Sequence, residues 1–570
     1  MVKLSSFLKK YKLHIIWGPF FKLIEAVFEL IIPIYMANVI DIGIANRDKE
    51  YIVKMGALIV LFAIGGLTAA VGCQYLAAKA SQGVGVDLRK AVFERVNCLS
   101  YRQIDTLGTS SLITRITNDV NNLQNAIAMT IRLAIRAPFL LIGSVIMSVM
   151  IDARMSIIFL IAVVVISLVL FLLITKASPM FTRRQTKLDK ISLLARENLD
   201  GSRVIRAFSK QKNEINRFEN AGGNLLDIDV AIAKILAFLN PLTYIVVDFS
   251  IIAILWIGAF QINSGLLLQG KILALINYMM QILMVLFIVA MLVMLFTRAS
   301  AASKRIFEIL NIEPDILDGD TKVITKNETV NKVEFQNVSF TYEHGEDDVL
   351  KDISITIKKN ETLGIIGGTG SGKSTFINLL SRFYDVCKGK ILIDGIDVKD
   401  YKVSDLREKI GIVPQKAILF SGTVEENLKM GRKDITKEDI ERALKISQSY
   451  DFVSKLNGGL NFKIERDGKN LSGGQKQRLT IARALVGNPE ILILDDSSSA
   501  LDANTDANLR KELGKISGIT VIIISQKFSS IRFADKILVL DDGKIAGLGT
   551  HEELLENCNL YKEIYNSQVG

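Results

Sequence analysis

The sequence has little cysteine, proline or histidine. Only 4 cysteines, 8 prolines and 3 histidines occur in 570 residues. The cysteines lie far apart, with no CxxC pair and no histidine at metal-ligand spacing, which excludes a disulfide framework and a zinc site. With so few prolines and only 40 glycines, a collagen-like or low-complexity chain is also excluded.

Charge is scarce as well. Charged residues make up 22% of the chain and hydrophobic residues 49%, which is too apolar for disorder and unusual for a soluble enzyme. The net charge of +10 is scattered, and no aromatic–basic module typical of nucleic-acid binding occurs. We therefore expect no nucleic-acid partner. A basic excess beside apolar segments is instead typical of a membrane protein.

Long apolar runs are concentrated in residues 1–311. The segments 155–175 and 272–296 carry no charge, and about 20 apolar residues suffice to span a bilayer. Weaker candidates lie near 14–40, 53–77, 135–151 and 240–261. The sequence predicts an all-α transmembrane domain of six helices in contact with membrane lipid. An even number of spans places both termini on one side, and Lys3, Lys9 and Lys10 before the first span predict that this side is the cytoplasm.

Charged residues within the first span require an explanation. Lys22, Glu25 and Glu29 are spaced by three and four residues, so they share one helix face. One interpretation is that Glu25 and Glu29 form a cation-attracting patch in a translocation path. The alternative is internal ion pairing with Lys22, Arg132 or Arg136.

Two methionines of the sixth span are further candidates for a substrate path. Met280 and Met284 belong to a methionine-rich stretch, and such surfaces suit varied small-molecule ligands. Most methionines in membranes, however, only pack or face lipid. Asp248 in the fifth span poses the same two alternatives as the glutamates.

The composition changes after about residue 311. We expect a linker at 312–330 and an α/β domain at 331–570, with strands at Val333–Phe340 and Leu363–Ile366. The second strand leads into a phosphate-binding motif of the form G-x-x-x-x-G-K-[ST], followed by a helix from near Thr375. The motif consists of Gly367, Gly368, Thr369, Gly370, Ser371, Gly372, Lys373 and Ser374.

This motif predicts ATP and Mg²⁺ as cofactors. Backbone N–H groups of the loop and the helix N-terminus would bind phosphate, and Lys373 would reach the β- and γ-phosphates. Ser374 would ligate Mg²⁺. Asp495, at the end of the apolar run Ile491–Leu494, suits a role in holding the hydration shell of that ion.

The segment Leu471-Ser472-Gly473-Gly474-Gln475 resembles the signature of ATP-binding cassette (ABC) proteins. A helix N-terminus with small residues can cap a γ-phosphate. In the family, the signature serves the nucleotide held by the opposite domain. The resemblance therefore implies that one chain alone cannot complete either site.

The order of six spans and one cassette is similar to an ABC half-exporter over essentially the whole chain. The resemblance implies that Tyr342 stacks on adenine, although a core tyrosine is the alternative, and that Thr375 belongs to the nucleotide site. It further implies that Gln415 touches Mg²⁺ and that Asp502 belongs to the D-loop. The segments near 105–120 and 197–208 resemble the intracellular coupling regions.

Two residues depart from the family pattern. Asp496 replaces the glutamate that positions the attacking water, and Gln526 replaces the switch histidine. The signature is intact. This combination resembles the degenerate-site half of a heterodimeric exporter. The resemblance implies that the partner is a second half-transporter chain and that the substrates are drug-like amphipathic small molecules.

Two alternatives remain for the function: a homodimeric lipid or peptide exporter, and an ATP-gated channel or regulatory subunit. The layout favours a bacterial plasma membrane.

Overall fold

The computed structural model describes residues 3–319, 331–342, 347–432, 434–497 and 500–569. The chain divides into two compact units. The first comprises Met1–Asn97 and Ser110–Ile312, and the second comprises Cys98–Thr109 and Glu313–Gly570. Of the expected linker at 312–330, residues 320–330 lie outside the described residues.

The first unit and the adjoining short segment are helical. The helices are α1 (Leu4–Lys9), α2 (Lys12–Asn38), α3 (Lys49–Cys98), α4 (Tyr101–Leu107), α5 (Thr109–Thr114), α6 (Val120–Met129), α7 (Arg136–Ile151), α8 (Ser156–Asp200), α9 (Ser202–Ala207), α10 (Gln211–Ala237), α11 (Leu239–Asn263) and α12 (Gln269–Asn311). Wider π-helical turns continue three of them, at Val39–Ile44, Arg115–Asp119 and Thr130–Ala134.

Six helical stretches of the described chain are long and apolar enough to cross a membrane, which confirms the predicted six-span architecture. They are Lys12–Ile44, Lys49–Cys98, Thr109–Ile151, Ser156–Asp200, Gln211–Asn263 and Gln269–Asn311. The 50-residue helix α3 would measure about 75 Å at 1.5 Å per residue, more than twice the hydrocarbon thickness. It therefore extends well beyond the predicted apolar run at 53–77.

The second unit contains the strands and the remaining helices. The strands are β1 (Val333–Phe340), β2 (Leu350–Ile357), β3 (Thr362–Gly367), β4 (Lys388–Ile393), β5 (Ile396–Asp397), β6 (Ile410–Val413), β7 (Gly422–Thr423), β8 (Lys463–Ile464), β9 (Ile491–Asp495), β10 (Thr520–Ile524), β11 (Lys536–Asp541) and β12 (Lys544–Gly549). The helices are α13 (Lys373–Leu380), α14 (Val403–Glu408), α15 (Val424–Lys429), α16 (Lys437–Ile446), α17 (Tyr450–Lys455), α18 (Gly473–Val486), α19 (Ala503–Leu513), α20 (Phe528–Ile531), α21 (His551–Asn557) and α22 (Asn559–Val569).

The larger sheet positions the site. Its strand order is β12-β11-β3-β10-β9-β6, and every neighbouring pair from β11 to β6 is parallel. These strands are almost fully buried runs of isoleucine, leucine and valine, as expected for a sheet covered on both faces. Parallel strands end at the same edge, so the loops after β3, β6, β9 and β10 lie side by side.

Candidate functional site

The phosphate-binding loop joins β3 to α13, where the sequence predicts it. Gly370 and Gly372 have φ angles of +83° and +100°, which side-chain-bearing residues rarely adopt. A Cβ on Gly367 would lie 2.1 Å from the carbonyl oxygen of Leu540, whereas a Cβ on Gly368 would meet no atom within 4 Å. The glycines thus make the turn possible and leave one side of the backbone open to a ligand.

Lys373 folds back onto this loop. Its ammonium donates hydrogen bonds to the carbonyl oxygens of Gly367 at 2.9 Å and Gly368 at 2.5 Å. Burial lowers the pKa of Lys373, and the negative charges of Asp495 and Asp496 partly oppose that effect. A phosphate oxygen would be a stronger acceptor for this ammonium than the two neutral carbonyls.

The two consecutive aspartates follow β9 at the same edge. Burial raises the pKa of Asp495, and the charge of Asp496 raises it further, against the opposing charge of Lys373. Asp496 has a φ of +45°, and its backbone N–H donates to the carbonyl oxygen of Ile524 on β10 at 2.8 Å. The amide of Gln415, after β6, lies 3.5 Å from the Asp496 carboxylate. The fold therefore brings together residues that the sequence assigned to separate motifs.

Tyr342 lies close to the start of α13. Its hydroxyl is 3.2 Å from the hydroxyl of Thr375, and its ring packs edge-on against Phe340 and Tyr384. It lines a cavity of about 510 Å³, a volume common for small-ligand sites. The lining includes no residue of the phosphate-binding loop, so this cavity lies beside the phosphate end of the site rather than in it.

The loop that carries Gln526 is held by the C-terminal helix α22. The side-chain amide of Gln568 donates to the carbonyl oxygen of Gln526 at 2.7 Å and accepts from the N–H of Phe528 at 2.9 Å. Tyr565 packs edge-on against Phe528, with ring centroids 5.0 Å apart. The sequence did not predict this contact, because Gln568 lies 42 residues from Gln526 and belongs to no recognised motif.

We expect Gln568→Ala to speed hydrogen exchange at the Phe528 amide about threefold to tenfold, as the loss of one hydrogen bond of ordinary strength would. Gln568→Glu retains an acceptor for Phe528 N–H and should keep the amide protected, although it loses the donor to Gln526. The measurement is exchange by mass spectrometry on the full chain. Equal protection in wild type and Gln568→Ala would show that α22 does not hold the loop.

The signature forms the N-terminus of α18. Ser472 is the N-cap: its hydroxyl accepts from Gln475 N–H at 3.3 Å, and its own N–H donates to the Gln475 side chain at 2.9 Å. A Cβ on Gly473 would meet nothing within 4 Å, while one on Gly474 would lie 3.2 Å from Ala500 O. In the described part of the chain, no signature residue hydrogen-bonds to the phosphate-binding loop. The Gly473 side of this helix end is therefore open.

Asp502 has a local role that the resemblance did not imply. It is the N-cap of α19 and accepts from the backbone N–H of Thr505 at 2.9 Å and from its hydroxyl at 2.7 Å. These hydrogen bonds lower the pKa of Asp502. Position 499, which the sequence places in the same loop, lies outside the described residues.

Helix α4 overlaps the start of the predicted coupling segment 105–120. It belongs to the second unit. The hydroxyl of Tyr384 donates to the Asp105 carboxylate at 2.7 Å, and the ring of Tyr101 lies 4.8 Å from that of Phe383. Burial, reinforced by the bond to Asp105, raises the pKa of Tyr384, so its hydroxyl stays a donor at neutral pH. No sequence signal identified Tyr384. The other predicted coupling segment, 197–208, covers the end of α8 and α9.

The substrate-path candidates have contrasting surroundings. Glu25 pairs with Lys22 at 2.6 Å, and Glu29 pairs with Arg136 at 2.5 Å, as the internal-pair alternative required. Met280 is 44% exposed and Met284 67% exposed in the chain by itself. Their place in a substrate path stays a prediction.

Comparisons with known proteins match both halves of the chain. Residues 15–286 match the family of ABC transporter transmembrane regions, and residues 350–499 match the ABC transporter family. The uncharacterized ABC transporter ATP-binding protein YfiB of Bacillus subtilis is 37% identical over 100% of this chain and 99% of its own length. The ATP-dependent lipid A-core flippase of Syntrophus aciditrophicus is 31% identical over 90% of this chain and 85% of its own.

A solved structure shares the fold. A bacterial Atm1-family ABC exporter with ATP bound superposes with a TM-score of 0.81, covering 98% of both chains at 23% sequence identity. The match extends over the spans and the cassette alike. The chain therefore belongs to the ABC transporter family and has the fold of a half-exporter, which joins a transmembrane domain to a domain that binds ATP and hydrolyses it to drive transport.

Proposed function

We propose that this chain is the degenerate-site half of a heterodimeric exporter of drug-like amphipathic compounds. The observation that carries the proposal is the pair Asp496 and Gln526, which follow β9 and β10 beside the phosphate-binding loop, while the signature at Ser472 is regular. Aspartate is one methylene shorter than glutamate, and a displacement of about 1 Å can cost roughly 100-fold in rate. Glutamine carries no titratable proton near neutral pH.

The residues present fit ATP with Mg²⁺. Ser374, Gln415 and Asp495 offer hydroxyl, amide and carboxylate oxygens, the donor set that Mg²⁺ prefers. Burial raises the pKa of Asp495 and the charge of Asp496 raises it further, and a bound cation would oppose both effects. Lys373 binds phosphate oxygens in place of the loop carbonyls. Asp496 would orient the attacking water with a side chain one methylene shorter than that of glutamate, which would slow hydrolysis.

In the proposed dimer, each site is shared. The open N-terminus of α18 at Gly473 faces ATP on the second half-transporter chain, where hydrolysis is fast. Closure of the two cassettes favours the outward-open spans, and hydrolysis returns them to the inward-open state. Both termini lie in the cytoplasm of a bacterial cell, since the lysines around α1 precede the first span.

A second candidate is a homodimeric lipid exporter. The 31% identity to a protein named as a lipid A-core flippase favours it over a peptide exporter or a channel. In that case both sites would combine Asp496 and Gln526 with this chain's own signature. Vectorial transport into sealed vesicles against a gradient would separate either exporter from an ATP-gated channel.

The deciding experiment is Mg-ATP turnover by this chain purified alone, with its oligomeric state measured in parallel. We expect ATP binding with little turnover, because the chain alone supplies no glutamate or histidine at the two positions. Rapid turnover by a pure homodimer would contradict the heterodimer proposal and favour the second candidate.

A further inference from the structure

A cavity of about 510 Å³ lies on one side of Tyr342 and belongs wholly to the second unit. Its described walls come from α4, the chain just after α12, the end of β1 and the turn that follows α13. Of these walls, the nucleotide site assigned above uses Tyr342 alone. A cavity of this size commonly holds a small ligand, so the chemistry of its walls indicates what it binds.

Four aromatic side chains line the cavity: Phe340, Tyr342, Phe383 and Tyr384. The rings of Phe340, Tyr342 and Tyr384 pack edge-on against one another, with centroids 4.9 to 5.7 Å apart. The face of an aromatic ring carries partial negative charge, so it attracts a cation and repels an anion. The rings therefore favour a ligand that is positively charged or apolar.

The charged residues of the lining also favour a cation. Three carboxylates line the described part of the cavity, those of Asp105, Asp315 and Asp385. The guanidinium of Arg102 is the one positive charge in that lining, so its net charge is −2. Arg382, outside the lining, pairs with Asp385 at 3.1 Å and reduces the excess to −1. Asp315 is exposed and forms no hydrogen bond or ion pair with any described residue, so its charge is available to a ligand.

The walls suit an organic cation better than a metal ion. Among the residues that the structure describes, no three aspartate, glutamate, histidine or cysteine side chains lie close enough together to hold a metal ion. One carboxylate is also engaged, since Asp105 accepts a hydrogen bond from the hydroxyl of Tyr384 at 2.7 Å. Aromatic walls are typical of sites for quaternary ammonium groups, which need no close shell of oxygen ligands.

Tyr342 connects the cavity to the nucleotide site. Its side chain lines the cavity, and its hydroxyl lies 3.2 Å from the hydroxyl of Thr375, next to the Mg²⁺ ligand predicted at Ser374. A ligand that holds the Tyr342 ring from the cavity would therefore act on a side chain expected to stack on adenine. Such coupling is reciprocal, because a cation that changes the affinity for ATP has its own affinity changed by ATP to the same degree.

We propose that this cavity binds a small organic cation of the quaternary ammonium class and that its occupancy lowers the affinity for ATP through Tyr342. The rings of Tyr342 and Tyr384 contact the cation, and the carboxylates of Asp105 and Asp315 supply the opposing charge. All of these residues belong to the second unit of one chain, so the site requires neither a particular partner chain nor a particular transport substrate.

The test measures binding of phenyltrimethylammonium to the full chain by calorimetric titration without nucleotide. The chain is kept in dodecyl maltoside, a detergent that is uncharged and lacks the ammonium group of phosphatidylcholine. Benzenesulfonate, which has a similar size and the opposite charge, is the comparison probe. We expect phenyltrimethylammonium to bind at least about tenfold more tightly than benzenesulfonate, because the wall is aromatic and carries a net negative charge.

Substitutions in the wall test whether the cation binds in this cavity. Asp315→Asn should weaken phenyltrimethylammonium binding about threefold, as expected for one charge that is partly screened by water. Tyr384→Leu should weaken it about fivefold through loss of the ring, whereas Tyr384→Phe keeps the ring and should weaken it less. The matched control is Asp347→Asn, which neutralises an exposed aspartate of the same unit outside the lining and should change nothing.

Two outcomes would refute the proposed site. Equal binding of the cationic and anionic probes would show that the charge of the wall selects nothing. Unchanged binding of phenyltrimethylammonium in both Asp315→Asn and Tyr384→Leu would place the cation elsewhere, as in the membrane spans.

Adding ATP tests the coupling. We expect the affinity for phenyltrimethylammonium to fall about fivefold and then to reach a plateau, because the two ligands share the Tyr342 ring but not the cavity. A loss that keeps growing with the ATP concentration would show that adenine occupies the cavity itself, and no change at any concentration would refute the coupling. Turnover is not measured, so a failure here is distinct from a failure of the heterodimer proposal, which concerns hydrolysis and assembly.

Discussion

Replacing Asp496 by Glu and Gln526 by His together should raise ATP turnover about 100-fold in the homodimeric fraction of the purified chain, where each copy lends its signature to the other. The glutamate side chain reaches about one methylene farther from the same backbone position at the end of β9, and a displacement of about 1 Å costs roughly this factor. The histidine adds a side chain that can carry a proton near neutral pH. Turnover of Mg-ATP, measured as phosphate release at saturating ATP, checks the prediction.

The matched control combines Asp496→Asn with the same Gln526→His substitution. Asparagine keeps the length of the native side chain and removes its charge. We expect turnover at or below the wild-type level. The positive φ of Asp496 applies to all variants, so local backbone strain does not distinguish them. Wild-type turnover already equal to that of the Glu–His variant would show that the native pair suffices, and the proposed asymmetry would fail.

Two glycine substitutions should have very different effects on the assembled transporter. Gly473→Ala is expected to lower its turnover about 100-fold, in the range seen when one backbone donor to a developing charge is lost. In the proposed dimer, the added methyl group would occupy the space through which the signature approaches ATP on the partner chain. Gly368→Ala should lower turnover by about twofold or less, because it affects only this chain's slow site.

The pair is well matched because neither Cβ meets any heavy atom within 4 Å in the chain itself, and neither glycine has a positive φ. Both variants should therefore fold as the wild type does, with equal melting temperatures. Photolabelling with an azido-ATP analogue in each variant locates the bound nucleotide. Equal losses of turnover in the two variants would indicate two equivalent sites, as in the homodimeric alternative.

Much of the nucleotide site could be predicted because its residues are adjacent in sequence or end buried strands. The stretch from Gly367 to Ser374 is a continuous motif, and Asp495 ends an uninterrupted apolar run. Both signals are local, and hydrophobic periodicity reports strand ends directly. The spans at 155–175 and 272–296 could be predicted for the same reason, since each apolar run is long enough to be recognised alone, whereas the other four were weaker candidates.

The connections between distant segments could not be predicted. Tyr384 and Asp105 are 279 residues apart, and Gln568 and Gln526 are 42 apart, with no motif at either partner. Arg136 and Glu29 are separated by 107 residues, and the sequence left their pairing open. Such contacts depend on how helices and strands pack, which no local pattern encodes.

By itself the sequence determined the membrane and cassette architecture, the ATP-binding motifs and the two substitutions at Asp496 and Gln526. These depend on residue type and spacing along the chain. Only the tertiary structure decided which charges in the spans are compensated, with Glu25 paired to Lys22 and Glu29 to Arg136. The reason is physical: a charge is neutralised by its neighbours in space, and those neighbours come from different helices.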